Sequence, residues 1–242
     1  MIKVSIIIPV KNDKRIFDLI SRLEKQSFKD FEVLIQDASD EKLNIKTNLN
    51  LRHFYIKNMS ISDAFHLLAK KAKSKLIVIT ESDCLPSERW LEELLSEYEN
   101  DKTIVVGAQA QPKILGYGNI LIPKKAFKVP HDRSLKIADD TDWYLTLEER
   151  GFRFKYIDKA LVMHYKNPIK RVLRVFKYGR EHAYIYTKHN MKKKILLSIL
   201  YRSALVLSSI LMIILLIVYG IYYKIKFIIK GVSLGNSRKK NL

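Results

Sequence analysis

The sequence predicts an α/β fold built around a mostly parallel sheet flanked by helices, and three observations support this prediction. Short apolar segments rich in β-branched residues alternate with segments whose apolar residues recur at helical spacing. The strand-like segments have wholly apolar centres, which is typical of parallel strands covered on both faces. The chain of 242 residues is 48% hydrophobic, enough for one substantial domain with an appendage, and this composition excludes a disordered chain.

The first half of the chain contains three predicted strands and two predicted helices. The strands are Lys3–Val10, Phe31–Ile35 (closing on Asp37) and His53–Ile56, and the helices are Ile16–Gln26 and Ser62–Ala72. Pro9 ends the pairing of the first strand because proline has no amide hydrogen, and a polar loop with Lys11 and Asp13 follows. Since ligands of such sheets lie at the carboxyl ends of the strands, Lys11, Asp13 and Asp37 are candidates for a nucleotide site.

A further strand and helix lie within Leu76–Leu95. Leu76–Thr80 is apolar and β-branched, as expected of a strand buried on both faces. Pro86 is expected to stop that strand, and Ser87 to cap a helix that presents Trp90 on its apolar face.

An acidic corner follows the strand, formed by Glu81, Ser82 and Asp83. Two carboxylates at the end of a buried strand are costly unless a positive group meets them. One interpretation is a divalent cation that carries phosphates, since hard oxygen ligands suit Mg²⁺ or Mn²⁺. The other interpretation is a solvated acidic loop, and the corner alone leaves both open.

The second half of the chain is less regular. Extended segments are predicted at Thr103–Ala108, Phe152–Ile157 and Ala160–Met163, with an irregular stretch over Gln109–Lys136. Asp139, Asp140 and Asp142 open a helix that Gly151 ends. Acidic residues in a first helical turn are favoured by the helix dipole, and the functional alternative is a general base. His164 closes the last extended segment, either as a structural histidine or as a ligand.

The positive charge is concentrated in the last third of the chain. The formal net charge is +19, and residues 165–242 carry 17 Lys and Arg against one acidic residue. This asymmetry indicates an anionic surface, either nucleic acid or lipid headgroups. The single Cys84 excludes an internal disulfide framework and fits a reducing compartment, and Met1–Val10 does not resemble a cleavable signal peptide.

The basic segment precedes an uncharged stretch. Asn167–Asn190 interleaves basic with aromatic residues, which suits a membrane interface and would also suit RNA. Ser203–Tyr223 then runs 21 residues without a charge, about 31 Å as a helix. This length predicts a transmembrane helix, with a buried or oligomeric helix as the alternative, and it argues against nucleic acid as a partner.

Four motifs in order resemble family 2 glycosyltransferases of the GT-A fold. The motifs are VSIIIPVKND, FEVLIQDASD, ITESDCLPSERWLEEL and ADDTDWYLTLEERGFRFKYIDKALVMH. They resemble the family's first strand and loop, its second strand, its D-x-D metal corner, and its segment from the catalytic acidic pair to a terminal histidine. The resemblance covers roughly residues 3–180 and implies a Rossmann-like, mostly parallel mixed sheet.

The resemblance implies a role for each matching residue. The implied nucleotide-binding residues are Pro9, Lys11, Asp13, Asp37, Glu81 and Ser82; the implied metal ligands are Asp83, Glu81 and His164. Asp140 would be the general base, with Asp139 as the first acid of the pair. The implied reaction is inverting sugar transfer of the hexosyltransferase type, with Mg²⁺ or Mn²⁺ as cofactor and a nucleotide-diphosphate sugar as donor.

The expected organisation follows from these features. We expect a GT-A catalytic domain over 1–166, a basic juxtamembrane segment over 167–194, a transmembrane region over 195–230 and a basic disordered tail over 231–242. We expect the catalytic domain on the cytoplasmic face, membrane lipids as partners, and a lipid-linked or glycan acceptor in polysaccharide biosynthesis. Because Ala64-Phe65-His66 replaces the family's A-R-N triplet, a catalytically inactive nucleotide-sugar-binding or scaffold subunit is the alternative.

Overall fold

The computed structural model describes residues 2–108, 117–135, 138–164 and 181–191. The chain divides into two compact units, Met1–Ile185 and Tyr186–Leu242. The strands of the first unit are β1 (Val4–Val10), β2 (Phe31–Asp37), β3 (Leu51–Tyr55), β4 (Leu76–Ile79), β5 (Cys84–Pro86), β6 (Thr103–Val106), β7 (Ile120–Pro123), β8 (Arg153–Tyr156) and β9 (Val162–His164). The helices are α1 (Ile16–Glu24), α2 (Ile61–Lys71), α3 (Trp90–Ser96) and α4 (Asp139–Glu149), with a 3₁₀ helix at Lys124–Lys128.

Seven strands form one mixed sheet in the order β3-β2-β1-β4-β7-β6-β8. The pairs from β3 to β4 are parallel, β7 is antiparallel to both of its neighbours, and β6 pairs with β8 in parallel. The predicted mostly parallel sheet flanked by helices is therefore confirmed.

The apolar strands are buried because helices cover both faces of the sheet. Every residue of β1 and β2 is buried. Successive side chains of a strand point to opposite faces, so Ile6 packs in one core with Trp90, and Ile7 packs in the other core with Trp143. The first core also contains the buried face of α1, and the second contains the buried faces of α2 and α4.

The expectations for Pro86, for Ser87 and for the irregular stretch were wrong. Pro86 does not stop the strand before the acidic corner but ends β5, and Ser87 is not a helix cap, because α3 begins after Arg89 without a side-chain cap. The stretch expected to be irregular contains β7, which pairs with β4 and β6 in the sheet.

A two-stranded ribbon connects the segment after the acidic corner to the last strand of the first unit. β5 pairs with β9 in antiparallel fashion, and Cys84 lies opposite His164. Beneath it, the buried Asn119 side chain accepts a hydrogen bond from the Trp90 indole at 2.6 Å and donates to the Ala160 carbonyl at 2.7 Å. These bonds join β7, α3 and the start of β9 into one rigid support.

The first compact unit ends at Ile185. Ile185 is fully buried, and the Tyr184 hydroxyl donates to Asp132 at 3.1 Å. Within the part of the chain that is described, the helices are all too short or too polar to cross a bilayer. The predicted region 195–230 with its core span 203–223, most of the basic segment 167–194 and the tail 231–242 lie outside the described residues.

Candidate active site

The loops that follow β1, β2 and β4 meet at the carboxyl edge of the sheet, because β1 lies between β2 and β4. Val10 pairs with Asp37 across β1 and β2, while the acidic corner follows β4 on the other side. The Ser82 hydroxyl donates to Asp13 at 2.8 Å, which joins the loop after β1 to the acidic corner. The structure thus brings together the loops that sequence motifs had indicated.

Arg15 lies between these loops. Its guanidinium donates to both oxygens of Asp13, at 2.9 and 2.8 Å, and its Nη1 lies 3.6 Å from Asp83 Oδ2. Burial acts to raise the Asp13 pKa, but the hydrogen bonds from Arg15 and Ser82 outweigh it and the pKa is lowered. Arg15 was missed from the sequence because it stands outside the motif, at the beginning of α1.

Hydrogen bonds fix the side chain of Asp37 at the carboxyl edge of the sheet. Its carboxylate is fully buried and accepts from the amides of Ser39 at 2.9 Å and Leu43 at 2.8 Å, with the His53 ring 3.1 Å away. Burial acts to raise the Asp37 pKa, yet these bonds outweigh it and lower it. The structure places Asp37 where it fixes the loop after β2.

The loops after β1 and β2 are also tied to each other. The Asn12 amide donates to Ser39 Oγ at 2.8 Å, and the Asn12 side chain exchanges hydrogen bonds with Asp40. Asn12 adopts a left-handed backbone conformation with φ 52°, which asparagine tolerates better than most residues. Pro9 is buried within β1 and, contrary to the expectation from the sequence, does not end its pairing, because Val10 still aligns with Asp37 of β2. Lys11 is exposed at the edge of this paired loop.

The acidic corner offers ligands for a divalent cation. Ligand atoms of Glu81, Asp83 and Cys84 all lie within 4.8 Å of one another. Burial, followed by the charges of Glu81 and Asp83, raises the Cys84 pKa well above its usual value, so the thiol stays protonated. The two carboxylates are therefore the suitable donors, and they fit Mg²⁺ or Mn²⁺. His164 is described by its backbone alone, opposite Cys84.

The acidic pair lies at the beginning of α4. Asp139 is 5% exposed and accepts a hydrogen bond from Ser62 of α2, while Asp140 accepts from the Thr141 amide at 2.6 Å. Burial, followed by the charge of Asp139 and then that of Glu81, raises the Asp140 pKa to about 7. The influence of Glu81 means that the acidic corner and the acidic pair belong to one electrostatic site.

Two further contacts hold the acidic pair. The Tyr117 hydroxyl lies 3.4 Å from Asp139 Oδ2 and 2.7 Å from His131 Nε2. The Ala138 amide, immediately before the pair, donates to Glu181 at 3.0 Å. Sequence reasoning missed Tyr117, His131 and Glu181, because they come from distant segments that carry no motif.

Comparisons with known proteins indicate the family of this chain. A model of the family described as glycosyl transferase family 2 matches residues 5–161, more than half of the chain. The comparison with curated proteins found no match.

Solved structures share the fold at low sequence identity. The 1–349 fragment of S. aureus TarS in complex with UDP-GlcNAc has a TM-score of 0.58 at 18% identity, over 68% of this chain and 59% of that one. The mannosyltransferase PcManGT from Pyrobaculum calidifontis, in complex with GDP-Man and Mn²⁺, has a TM-score of 0.64 at 14% identity, over 82% of this chain and 69% of that one. The chain spans less than two thirds of that TarS fragment, and these likenesses concern the fold.

Proposed function

This chain belongs to glycosyl transferase family 2, and from that membership we propose that it transfers a sugar from a nucleotide-diphosphate sugar to an acceptor hydroxyl with inversion. The observation that carries the proposal is the position of Asp140 at the beginning of α4, beside the buried Asp139. The Asp140 pKa, raised to about 7 by burial and by the charge of Asp139, lies near neutral pH. A general base works best when its pKa is close to the working pH. The hexosyltransferase type is part of the proposal.

The donor would bind across the loops after β1, β2 and β4. The paired loops after β1 and β2, with Asp37, Pro9 and Lys11, would form the nucleoside wall. Asp13 and Ser82 are already joined by a hydrogen bond, so this side of the site is ordered before the donor arrives. UDP-GlcNAc in TarS and GDP-Man in PcManGT support a nucleotide-sugar donor for this chain.

We assign the metal site to Glu81 and Asp83, with His164 as a third ligand. The donor set fits, since two carboxylates whose oxygens lie close together are typical ligands of Mg²⁺ or Mn²⁺. A bound cation would neutralise the charge that develops on the departing diphosphate. Arg15 lies 3.6 Å from Asp83 and would add a second positive charge beside the diphosphate.

Asp140 would take the proton from the acceptor hydroxyl as that hydroxyl attacks the anomeric carbon. Its ionised form is the active base, and a pKa of about 7 makes that form accessible near neutral pH. Asp139 is bound to Ser62 and Tyr117, so its place is to hold the beginning of α4. No covalent sugar–enzyme intermediate is needed, and the protonated Cys84 is not a nucleophile.

We propose that the acceptor is lipid-linked or a growing surface glycan in polysaccharide biosynthesis. The uncharged 21-residue segment Ser203–Tyr223 and its basic flanks favour attachment to a membrane. We place the catalytic domain on the cytoplasmic side because nucleotide sugars are found there. Attachment would raise the effective concentration of a lipid-linked acceptor at the site.

A second candidate is a catalytically inactive subunit that binds a nucleotide sugar. It is favoured by Phe65 and His66, which stand where the family has Arg and Asn, and Phe65 is fully buried in the core and so takes no part in nucleotide binding. The two candidates differ in turnover, because only the enzyme releases nucleotide diphosphate.

A donor screen on the purified full chain in detergent distinguishes the two. We expect release of nucleotide diphosphate from one donor, dependent on Mg²⁺ or Mn²⁺. Asp83→Ala should abolish metal-dependent donor binding in calorimetry, whereas Asp101→Ala, an exposed carboxylate at the opposite edge of the sheet, should not. Unchanged metal-dependent donor binding in Asp83→Ala would contradict the metal assignment. Donor binding by the unmodified chain without any release of nucleotide diphosphate would favour the inactive subunit.

A further inference from the structure

A line of hydrogen bonds runs from the acidic pair into the protein. Tyr117 Oη contacts Asp139 Oδ2 at 3.4 Å, the long end of a hydrogen bond, and His131 Nε2 at 2.7 Å. His131 Nδ1 then contacts His66 Nε2 at 2.7 Å. The line therefore connects the beginning of α4 to the middle of α2 through side chains alone.

The middle of this line has little freedom to move. Tyr117 is 4% exposed and His131 is 7% exposed. The His131 ring stacks on Trp143 with centroids 4.4 Å apart and an angle of 19° between the rings. It meets the His66 ring edge-on at 4.9 Å, so aromatic packing on two sides fixes its plane.

Both groups in the middle of the line are uncharged. Burial, and then the charge of His66, lowers the His131 pKa to about 3, although Asp63 acts in the opposite direction. Burial raises the Tyr117 pKa well above its usual value, and the charge of Asp139 adds to this. A neutral imidazole donates from one nitrogen and accepts at the other, so His131 serves both neighbours at once.

We propose that Tyr117 and His131 are positioning residues of the glycosyl transfer, which hold Asp139 and, through it, the orientation of the base Asp140. This inference rests on the proposed function. Asp139 and Asp140 are adjacent at the beginning of α4, so bonds that hold the Asp139 side chain also hold the backbone that carries Asp140. Ser62 and Tyr117 approach the same oxygen of Asp139, from α2 and from the segment before β7, and together they fix that carboxylate.

The hydroxyl of Tyr117 is tested by Tyr117→Phe, which keeps the ring and its packing. We expect kcat to fall about tenfold, the cost of one buried hydrogen bond to the residue that holds the base, while the donor KM stays within about twofold. Tyr184→Phe is the matched control, because it removes a hydroxyl bond to Asp132 in the same loop without touching the line. Its kcat should stay within about twofold of the unmodified chain.

Two variants test the two ring nitrogens of His131 individually. Glutamine places a polar atom near the position of Nε2, so His131→Gln can still reach Tyr117. Asparagine places one near Nδ1, so His131→Asn can reach only His66. Both lose the stacking on Trp143, so loss of packing affects them alike. We expect His131→Gln to keep most of the kcat and His131→Asn to lose about as much as Tyr117→Phe.

NMR of the histidine-labelled full chain in detergent tests this line of hydrogen bonds independently of enzymatic turnover. We expect a slowly exchanging ring N–H proton of His131 that is lost or strongly shifted in Tyr117→Phe and unchanged in Tyr184→Phe. Absence of such a signal would overturn the line even if no donor is turned over. If the unmodified chain turns over while Tyr117→Phe and His131→Asn retain full kcat, the positioning role is wrong and the proposed function stands.

Discussion

The raised pKa that suits Asp140 to act as a base also means that its ionised form destabilises the folded state. Asp140→Asn tests both effects. The pKa of Asp140 is raised from 3.8 to about 7, a difference of about three units. At about 1.36 kcal/mol per unit, the ionised carboxylate costs the folded state up to about 4 kcal/mol. Asparagine has nearly the same shape and carries no charge, so the variant should not carry this cost.

The sign of the pH dependence follows from proton counting. Between pH 4 and 7 the folded chain retains a proton on Asp140 that the unfolded chain has released. Stability therefore falls as the pH rises through this range and levels off above the folded pKa. In Asp140→Asn this contribution is absent, so the gain in stability relative to the unmodified chain should grow from pH 5 to pH 8.

Denaturant unfolding at pH 5 and pH 8 measures this gain in the free energy of unfolding. Kinetics at pH 8 measures the loss of activity. We expect kcat to fall by about 10²–10⁴-fold, with donor affinity nearly unchanged. Asp101→Asn is the control, since its carboxylate is exposed. An equal pH dependence of stability in the variant and the unmodified chain would refute the raised pKa of Asp140; an unchanged kcat would place the base elsewhere.

Three further predictions follow from the same structure. Asp139→Asn removes a charge that raises the Asp140 pKa, so the acidic limb of the kcat–pH profile should move to lower pH; an unmoved limb would contradict the coupling. Gly107→Ala would place a Cβ 2.5 Å from Asn119 Nδ2 and 2.7 Å from the Ala160 carbonyl, and should lower the free energy of unfolding by about 1–3 kcal/mol in urea titration. A chain that ends at residue 190 should leave membranes far more easily than the full chain in fractionation, and release of the full chain by a high-salt wash alone would contradict a membrane span.

Most of the sheet could be predicted because its strands are specified locally. β1, β2 and β4 are apolar segments bounded by polar residues, and their limits in the structure agree with the pattern within a few residues. β7 could not be predicted, since a segment of four residues that ends in a proline carries a weak local signal. It becomes a strand only because β4 and β6, both distant in sequence, offer it hydrogen-bonding partners on either side.

The candidate site divides in the same way. The acidic corner and the acidic pair were indicated by short motifs, which specify residues close together in sequence. Arg15, Tyr117 and His131 were not, because their roles depend on contacts across the fold: Tyr117 and His131 reach α4 and α2 from the segments on either side of β7. Whether each indicated residue acts as proposed is a matter for the variants above.

The two-sided core gives the protein two built-in fluorescent reporters. The sequence contains two tryptophans, and the structure buries Trp90 on one face of the sheet and Trp143 on the other. Replacing either one with phenylalanine leaves an emitter that follows a single layer during unfolding. Trp143 stacks on the His131 ring, so its emission would also respond to a rearrangement beside the acidic pair. Binding of a colourless donor could therefore be followed optically, without a label.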